Sequence, residues 1–205
     1  MSFARRRRFG GNKTATVKQP KVHTVDGITY KSKALAVLHE ALKGDALVTS
    51  FHLPSVQEEK ENKNRKYGAK KCMINDIIFD SIMEGRFYVY LLHLKQDGQV
   101  KSFTMQTPYV LQDKYRDKFT GKAVPAIKYI ADFVMTMPDD IEVVIDVKGK
   151  ETADFKLKKK MFGYRYRDIQ FMCVQWSESK KEWRDLSDIE KERREKRKTK
   201  KEKAA

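Results

Sequence analysis

The chain has 205 residues, 40% of them hydrophobic with 11 Phe and 9 Tyr, and a formal net charge of +16. That suffices for one ordinary core with appendages, and no apolar run approaches the roughly 20 residues of a membrane helix, so no membrane partner is expected. The basic run Arg5, Arg6, Arg7, Arg8 is followed by no apolar stretch and is not expected to be a secretory signal.

The charge is unevenly placed. Residues 1–21 carry seven basic and no acidic side chains, and residues 178–205 carry 12 basic and 8 acidic, which leaves +5 for the body. A basic arm binds polyanions by releasing their condensed counterions, so Arg5–Arg8 are candidate DNA contacts. The mixed signs of the C-terminal tail suit a solvated helix or a disordered segment. Cys72 and Cys173 are expected as reduced core thiols, and the four histidines show no zinc-ligand spacing with them.

In chain order, residues 1–21 read as a disordered basic arm. Residues 22–57 form a small helix–strand module, and 58–71, rich in Glu, Lys and Asn, a charged linker. Residues 72–183 form the main domain and 184–205 the tail. Within the main domain, Met73–Asp80 is a short extended segment. SIMEGRFYVYLLHLKQDG places Met83, Phe87, Tyr90, Leu91 and Leu94 at helical steps and stops at Gly98. Val100–Leu111 alternates as a strand around Pro108. Ile127–Met135 is a strand, TMPDD a turn, and IEVVIDVKG a central strand. ETADFKLKKKMFGY is a helix with Phe155 and Phe162 on one side and Leu157 and Met161 beside them. Asp168–Trp176 is the last strand. The expected class is α/β, with an αβββαβ core and a mixed sheet.

The first module also reads as a partial copy of the main domain's opening. Ile28, Tyr30, Ser32 and Leu38 match Ile77, Phe79, Ser81 and Phe87 at one offset of 49, and Leu35 stands where the second copy has Glu84.

A candidate site lies in the hairpin. Pairing around Pro138–Asp139 gives register sums of about 277 or 278, which sets Asp132 opposite residue 145 or 146. Asp146 and Lys148 share a face by strand alternation. Two close carboxylates raise each other's proton affinity, and a divalent cation removes the conflict. Mg²⁺ or Mn²⁺ held there suits phosphodiester hydrolysis, with a lysine to position a water or offset growing charge. The plainer alternative is a strand-end ion pair. Glu84 has two readings as well: Ser81-Ile82-Met83-Glu84 is a capping-box signature, and the same residue can face a metal from the first turn of its helix.

The order Glu84, Asp132 in IADF, Asp146-Val147-Lys148 in VVIDVKG, then helix and strand, resembles the PD-(D/E)XK nuclease superfamily. More closely, Tyr67 to Trp176 is similar to a family of small phage-encoded proteins assigned to that superfamily. In plan it is similar to phage endonucleases that resolve branched DNA such as Holliday junctions. Two departures are Ala131 in place of Pro before the first acid, and Asp146 in place of Glu. The resemblance implies a restriction-endonuclease-like fold, with Asp132, Asp146 and Glu84 as metal ligands and Lys148 as catalytic lysine. It also implies DNA recombination as the context, a homodimer, and the cytoplasm of a bacterial host cell.

Further DNA contacts are expected from Gln106, from Lys156, Lys159 and Lys160 after the D-x-K strand, and from Arg165 and Arg167 amid Tyr164 and Tyr166. Each also has a structural reading, as a strand-edge amide, a solvated helix face, or arginines flanking core aromatics. The expected activity is a divalent-metal-dependent endodeoxyribonuclease. The alternatives are a non-enzymatic DNA-binding protein on the same scaffold and a phage structural or host-interaction protein.

Overall fold

The computed structural model describes residues 21–61 and 70–202. It begins with a hairpin, β1 (His23–Val25) and β2 (Ile28–Tyr30), and helix α1 (Lys33–Lys43). A short strand β3 (Phe51–His52) and helix α2 (Val56–Glu61) follow. The hairpin recurs as β4 (Cys72–Ile74) and β5 (Ile77–Phe79), followed by helix α3 (Ile82–Gln96). Next come β6 (Ser102–Gln112), a small hairpin of β7 (Tyr115–Arg116) and β8 (Ala123–Val124), then β9 (Ile127–Thr136) and β10 (Glu142–Val147). Helix α4 (Ala153–Arg165), β11 (Gln170–Ser177), β12 (Glu182–Asp185) and helix α5 (Leu186–Glu202) complete the chain.

The fold is mixed α/β. Its main sheet has five strands in the order β12-β11-β10-β9-β6, parallel between β10 and β11 and antiparallel elsewhere. Val143, Ile145 and Val147 of β10 point to one face, where Phe87 and Leu91 of α3 cover them. Val144 points to the other, against Phe155 and Phe162 of α4 and Leu186 at the start of α5. Burial on both faces accounts for the unbroken Val143–Ile145 run. The two cysteines are free thiols in separate clusters, Cys72 in the first and Cys173 in the second.

The internal repeat is a structural one. Shifting β1, β2 and α1 by the same 49 residues reproduces the start of β4, β5 and α3. The turn residues Asp26 and Gly27 have positive φ, as do their counterparts Asn75 and Asp76. Each helix is capped by its equivalent serine, Ser32 or Ser81, through the backbone N–H three residues on. The copies diverge afterwards, into a two-residue β3 and an eleven-residue β6.

The first copy is built into the body. β3 pairs with β4 in a three-stranded sheet, and Tyr30, Leu35, Leu42 and Leu53 share one apolar cluster with α3. Helix α3 is therefore packed on two sides, by Phe79 and Phe103 against Tyr88 and by Phe133 and Trp183 against Phe87. Helix α2 occupies the first residues of the segment expected as a linker. β12 and the β7–β8 hairpin are additions to the expected order, and Leu157 lies exposed on α4.

Candidate active site

The register between β9 and β10 is Glu142↔Thr136, Val143↔Met135, Val144↔Val134 and Ile145↔Phe133, a constant sum of 278. The next step would set Asp146 opposite Asp132, and there the ladder stops. The backbone N–H of Val147 donates instead to Oδ2 of Asp132, at 2.8 Å. On its other side Asp132 has no ladder partner either, because β6 pairs Met105↔Phe133 and Thr107↔Ala131 and skips the step between. Gln106, at that step, has φ of +52°. The alternation of β9 slips here too. Tyr129 and Ala131 belong to the α4-side cluster, Phe133 to the α3-side cluster, and Val134 to the α4 side again. Asp132 sits at this fault, its carboxylate substituting for backbone.

Asp146 is fully buried. Its Oδ2 accepts a hydrogen bond from the Tyr129 hydroxyl at 2.6 Å. Its Oδ1 is paired with the Lys148 ammonium at 2.5 Å. The Lys148 ammonium also lies over the Phe155 ring, 4.7 Å from its centroid.

Glu84 approaches from the other face. It lies in the first turn of α3, where its N–H donates to Ser81 Oγ at 3.2 Å and its Oε1 accepts from the same hydroxyl at 2.8 Å. The capping reading is thus realised. Glu84 also lines a cavity of about 230 Å³ with Asp132, Gln106, Met105 and Phe133. Among the described residues, no three His, Cys, Asp or Glu side chains close around one point in a way that would hold an ion.

The charges are nevertheless coupled. Burial, then the charge of Asp146 and that of Glu84, pushes the Asp132 carboxyl up to about 7, against the opposing pull of Lys148 and the Val147 N–H. Burial, aided by Asp80, raises Glu84 above the usual carboxylate range, while Ser81 and Lys148 pull it down. Burial alone would lower Lys148, but the Asp146 and Asp132 carboxylates override it and hold the ammonium above its ordinary value. Burial and the Asp146 charge raise the Tyr129 hydroxyl far above its usual range, so Tyr129 is a permanent donor.

The expected DNA contacts fall at several places. Gln106 is exposed at the cavity mouth. Lys156 and Lys160 are exposed on α4, whereas Lys159 is paired with Glu151 at 3.0 Å. Arg165 is paired with Asp113 at 2.8 Å, and Arg167 stacks on the exposed Tyr164 ring. Arg5–Arg8 lie outside the described residues.

Sequence reasoning missed two features. Tyr129 carries no motif signal, since an aromatic at a buried strand position reads as core. The second is a cleft of about 410 Å³ directly after Lys148, lined by Gly149, Lys150, Glu151 and Lys156 and by Glu190, Arg193, Arg194 and Arg197 of α5. The α5 residues recur at steps of three, one and three, a stripe that was legible in the tail as helical periodicity.

Residues 64–182, more than half of the chain, match a family described as protein of unknown function (DUF1064), and the chain belongs to it. No curated protein matches it. No described helix is long and apolar enough to cross a membrane.

Proposed function

We propose that this protein is a divalent-metal-dependent endodeoxyribonuclease with a restriction-endonuclease-like core, acting on branched DNA. The observation that carries the reading is the Asp132–Asp146–Lys148 group. Two carboxylates from adjacent strands stand at the end of a buried hairpin, one of them raised to about 7 by burial and its neighbour's charge. Holding two carboxylates against one ammonium in a low-dielectric site is costly unless the second negative charge is offset, which a bound divalent cation would do.

The donor set suits Mg²⁺ or Mn²⁺, which prefer carboxylate oxygens with room for water and phosphate. Asp132 meets the Val147 N–H through Oδ2, which leaves Oδ1 for a ligand, while Asp146 Oδ1 is shared with the Lys148 ammonium. Asp132 and Asp146 are the two acids that would hold the cation; Glu84 lines the cavity beside Asp132 but is bonded to Ser81 and does not converge with them on one point. A bound cation supplies Lewis-acid polarisation of the scissile phosphate and a water acidic enough to attack it.

The chain's own groups do the rest. The Val147 N–H fixes the Asp132 carboxylate, and the Tyr129 hydroxyl fixes that of Asp146. Lys148 remains protonated between Asp146 and the Phe155 ring, so its role is to offset charge growing on the phosphate. The cleft of Lys150, Lys156, Arg193, Arg194 and Arg197 continues from Lys148 and suits the flanking backbone phosphates.

The test is cleavage of a four-way junction and of a linear duplex, each with Mg²⁺ or Mn²⁺ and with chelator. Metal-dependent cutting of the junction, lost in Asp132→Asn, is the expected result. Protein that shifts DNA but never cuts it in either metal, with Asp132→Asn indistinguishable from wild type, would leave a non-enzymatic DNA-binding protein. Cutting indifferent to junctions would keep the nuclease and remove the branched substrate.

A further inference from the structure

The β6–β9 ladder outruns the rest of the sheet. β10 ends beside Asp132, but β6 and β9 stay paired to Gln112↔Ile127, five residues further along β9. At 3.3–3.4 Å per residue this extension spans roughly 17 Å. It leaves from the same end of the sheet as Asp146 and Lys148, since β10 runs antiparallel to β9. The β7–β8 hairpin continues it, with the loop Asp117-Lys118-Phe119-Thr120-Gly121 as its turn.

Phe119, in this loop, is 99% exposed. A floppy turn would explain that, but this loop is tightly tied. Asp117 Oδ1 accepts from the Phe119 N–H at 3.0 Å, the Thr120 N–H at 2.6 Å and the Thr120 hydroxyl at 2.8 Å. The backbone closes through Asp117 N–H to Lys122 O at 2.8 Å and Gly121 N–H to Asp117 O at 2.9 Å. Arg116 donates to the Gly121 carbonyl at 2.7 Å, and Gly121 takes the left-handed φ of +67° that the turn requires. The loop therefore holds a large apolar ring in water on a preorganised mount.

The charge around the ring selects its partner. Lys114, Arg116, Lys118 and Lys122 are all exposed on the hairpin. The nearby acids are engaged, Asp117 within the loop and Asp113 by Arg165. Two exposed aromatics on one cationic hairpin, Phe119 at its tip and the half-exposed Tyr115 on its strand, match a polyanion that offers a π-face, which is nucleic acid with an unstacked base.

Building on the nuclease reading above, we infer that the β7–β8 hairpin is a substrate-reading arm. Phe119 stacks on an unpaired or unstacked base, and Lys118 and Lys122 contact the adjoining phosphates. With a rise of 3.4 Å per base pair, the extension alone places the arm about five base pairs from the site. It thus meets a branch point while the bond to be cut lies in a neighbouring duplex arm.

The test measures binding of the full chain, in chelator, to a linear duplex, to the same duplex with an unpaired bubble, and to a four-way junction. Phe119→Ala is expected to weaken bubble and junction binding about tenfold while linear duplex changes less than about twofold. Unchanged thermal unfolding shows that the loop survives, because its hydrogen bonds use the backbone of residue 119. In Phe119→Trp, the added indole is expected to be quenched by the bubble and not by the duplex. Equal effects of Phe119→Ala on all three DNAs, or none, would overturn the arm while metal-dependent cutting by wild type still upholds the nuclease. Wild type that binds no DNA would overturn both. Phe119-dependent binding to anionic lipid vesicles without DNA discrimination would assign the ring to a membrane surface and overturn the inference.

Discussion

The carboxylate of Asp132 accepts the backbone N–H of Val147 at 2.8 Å, at the point where the β9–β10 ladder ends. This contact fixes the carboxylate, but it does not offset its burial or the Asp146 charge beside it, which together push it up to about 7. An unfolded aspartate titrates near 3.8 to 3.9. A carboxyl raised in the folded state contributes stability that is full below the unfolded value and is lost as pH rises through the folded one. Thermal unfolding of chelated protein should therefore shift to lower temperature between pH 5 and 8. The loss should be on the order of 2–4 kcal/mol, since each tenfold change in proton affinity is worth about 1.4 kcal/mol. Asp132→Asn keeps an acceptor for Val147 and removes the charge, so its profile should be flatter and higher at pH 8. Millimolar Mg²⁺ should restore wild type at that pH and leave the variant unmoved. A wild-type profile that rises from pH 5 to 8 would contradict the coupling.

Lys148 and Asp146 should not be equally replaceable. The Asp146 side chain is 1% exposed and that of Lys148 32%. Removing the lysine leaves a carboxylate buried with one hydroxyl partner, whereas removing the acid leaves an ammonium that reaches water. Lys148→Met should abolish cleavage and cost about 1–3 kcal/mol, less than a wholly buried pair because the ammonium is partly screened. Adding Asp146→Asn to that variant should recover much of the stability and none of the activity. Denaturant midpoints of the two single variants and the double variant decide it, and an additive cycle would mean that the two charges are independent.

Much of this arrangement was legible in the sequence, for reasons that mark where legibility ends. The Ile127–Met135 and Ile141–Gly149 strands follow from apolar runs around a Pro-Asp-Asp turn, and turn length limited the register to two sums, one of which is the observed 278. The repeat was visible because turn, cap and core positions each constrain residue type. The slip of β9 at Asp132, which coincides with positive φ at Gln106 on the neighbouring strand, was not visible, since apolar alternation alone carries no sign of it. The pairing of β3 with β4, which joins the 22–57 module to the main domain, was not visible either, because it links segments distant in sequence. The double burial of α3 was hidden because the helical stripe of Met83, Phe87, Leu91 and Leu94 accounts for one side only, while Tyr88 and Val89 are buried as well. Asp132, Asp146 and Lys148 are brought together, while Glu84 is shared between the cavity and its own helix cap.

The repeat also explains a glycine. Gly85 occupies the position of Ala36 in the first copy, yet a Cβ at residue 85 would lie 2.6 Å from Cys72 Sγ and 3.1 Å from Ile74 Cδ1. Cys72 is 3% exposed and cannot easily move aside. Alanine is the better helix former by about 1 kcal/mol, but overpacking a core costs about 1–3 kcal/mol, so steric conflict should dominate. Gly85→Ala is expected to destabilise the protein. In a Cys72→Ala background the same substitution should be neutral or stabilising, since the clashing sulfur is gone. A double-mutant cycle by urea denaturation reads this coupling directly. Additive effects would show that the backbone, and not Cys72, yields to the methyl group.

Helix α5 should bind DNA independently of the catalytic group. It is anchored by Leu186, 1% exposed, and Ile189, 8% exposed, so its arginines are not needed to hold it. In the cleft, Glu190 is engaged by Arg194 at 3.6 Å and Glu151 by Lys159 at 3.0 Å. Lys150, Lys156, Arg193 and Arg197 remain to face a polyanion there, although Arg193 also reaches Gln175 Oε1 at 3.4 Å. Each phosphate contact contributes about 0.9 to the slope of log affinity against log salt. Replacing Arg193, Arg194 and Arg197 together by Gln should flatten that slope by about two to three and weaken linear duplex and junction alike. The metal-dependent rate at saturating DNA should stay within about twofold, because no reacting group is touched. Helicity by circular dichroism should be retained. An unchanged salt slope would remove α5 from the DNA interface, while a lost rate at saturation would place the stripe in the chemistry itself.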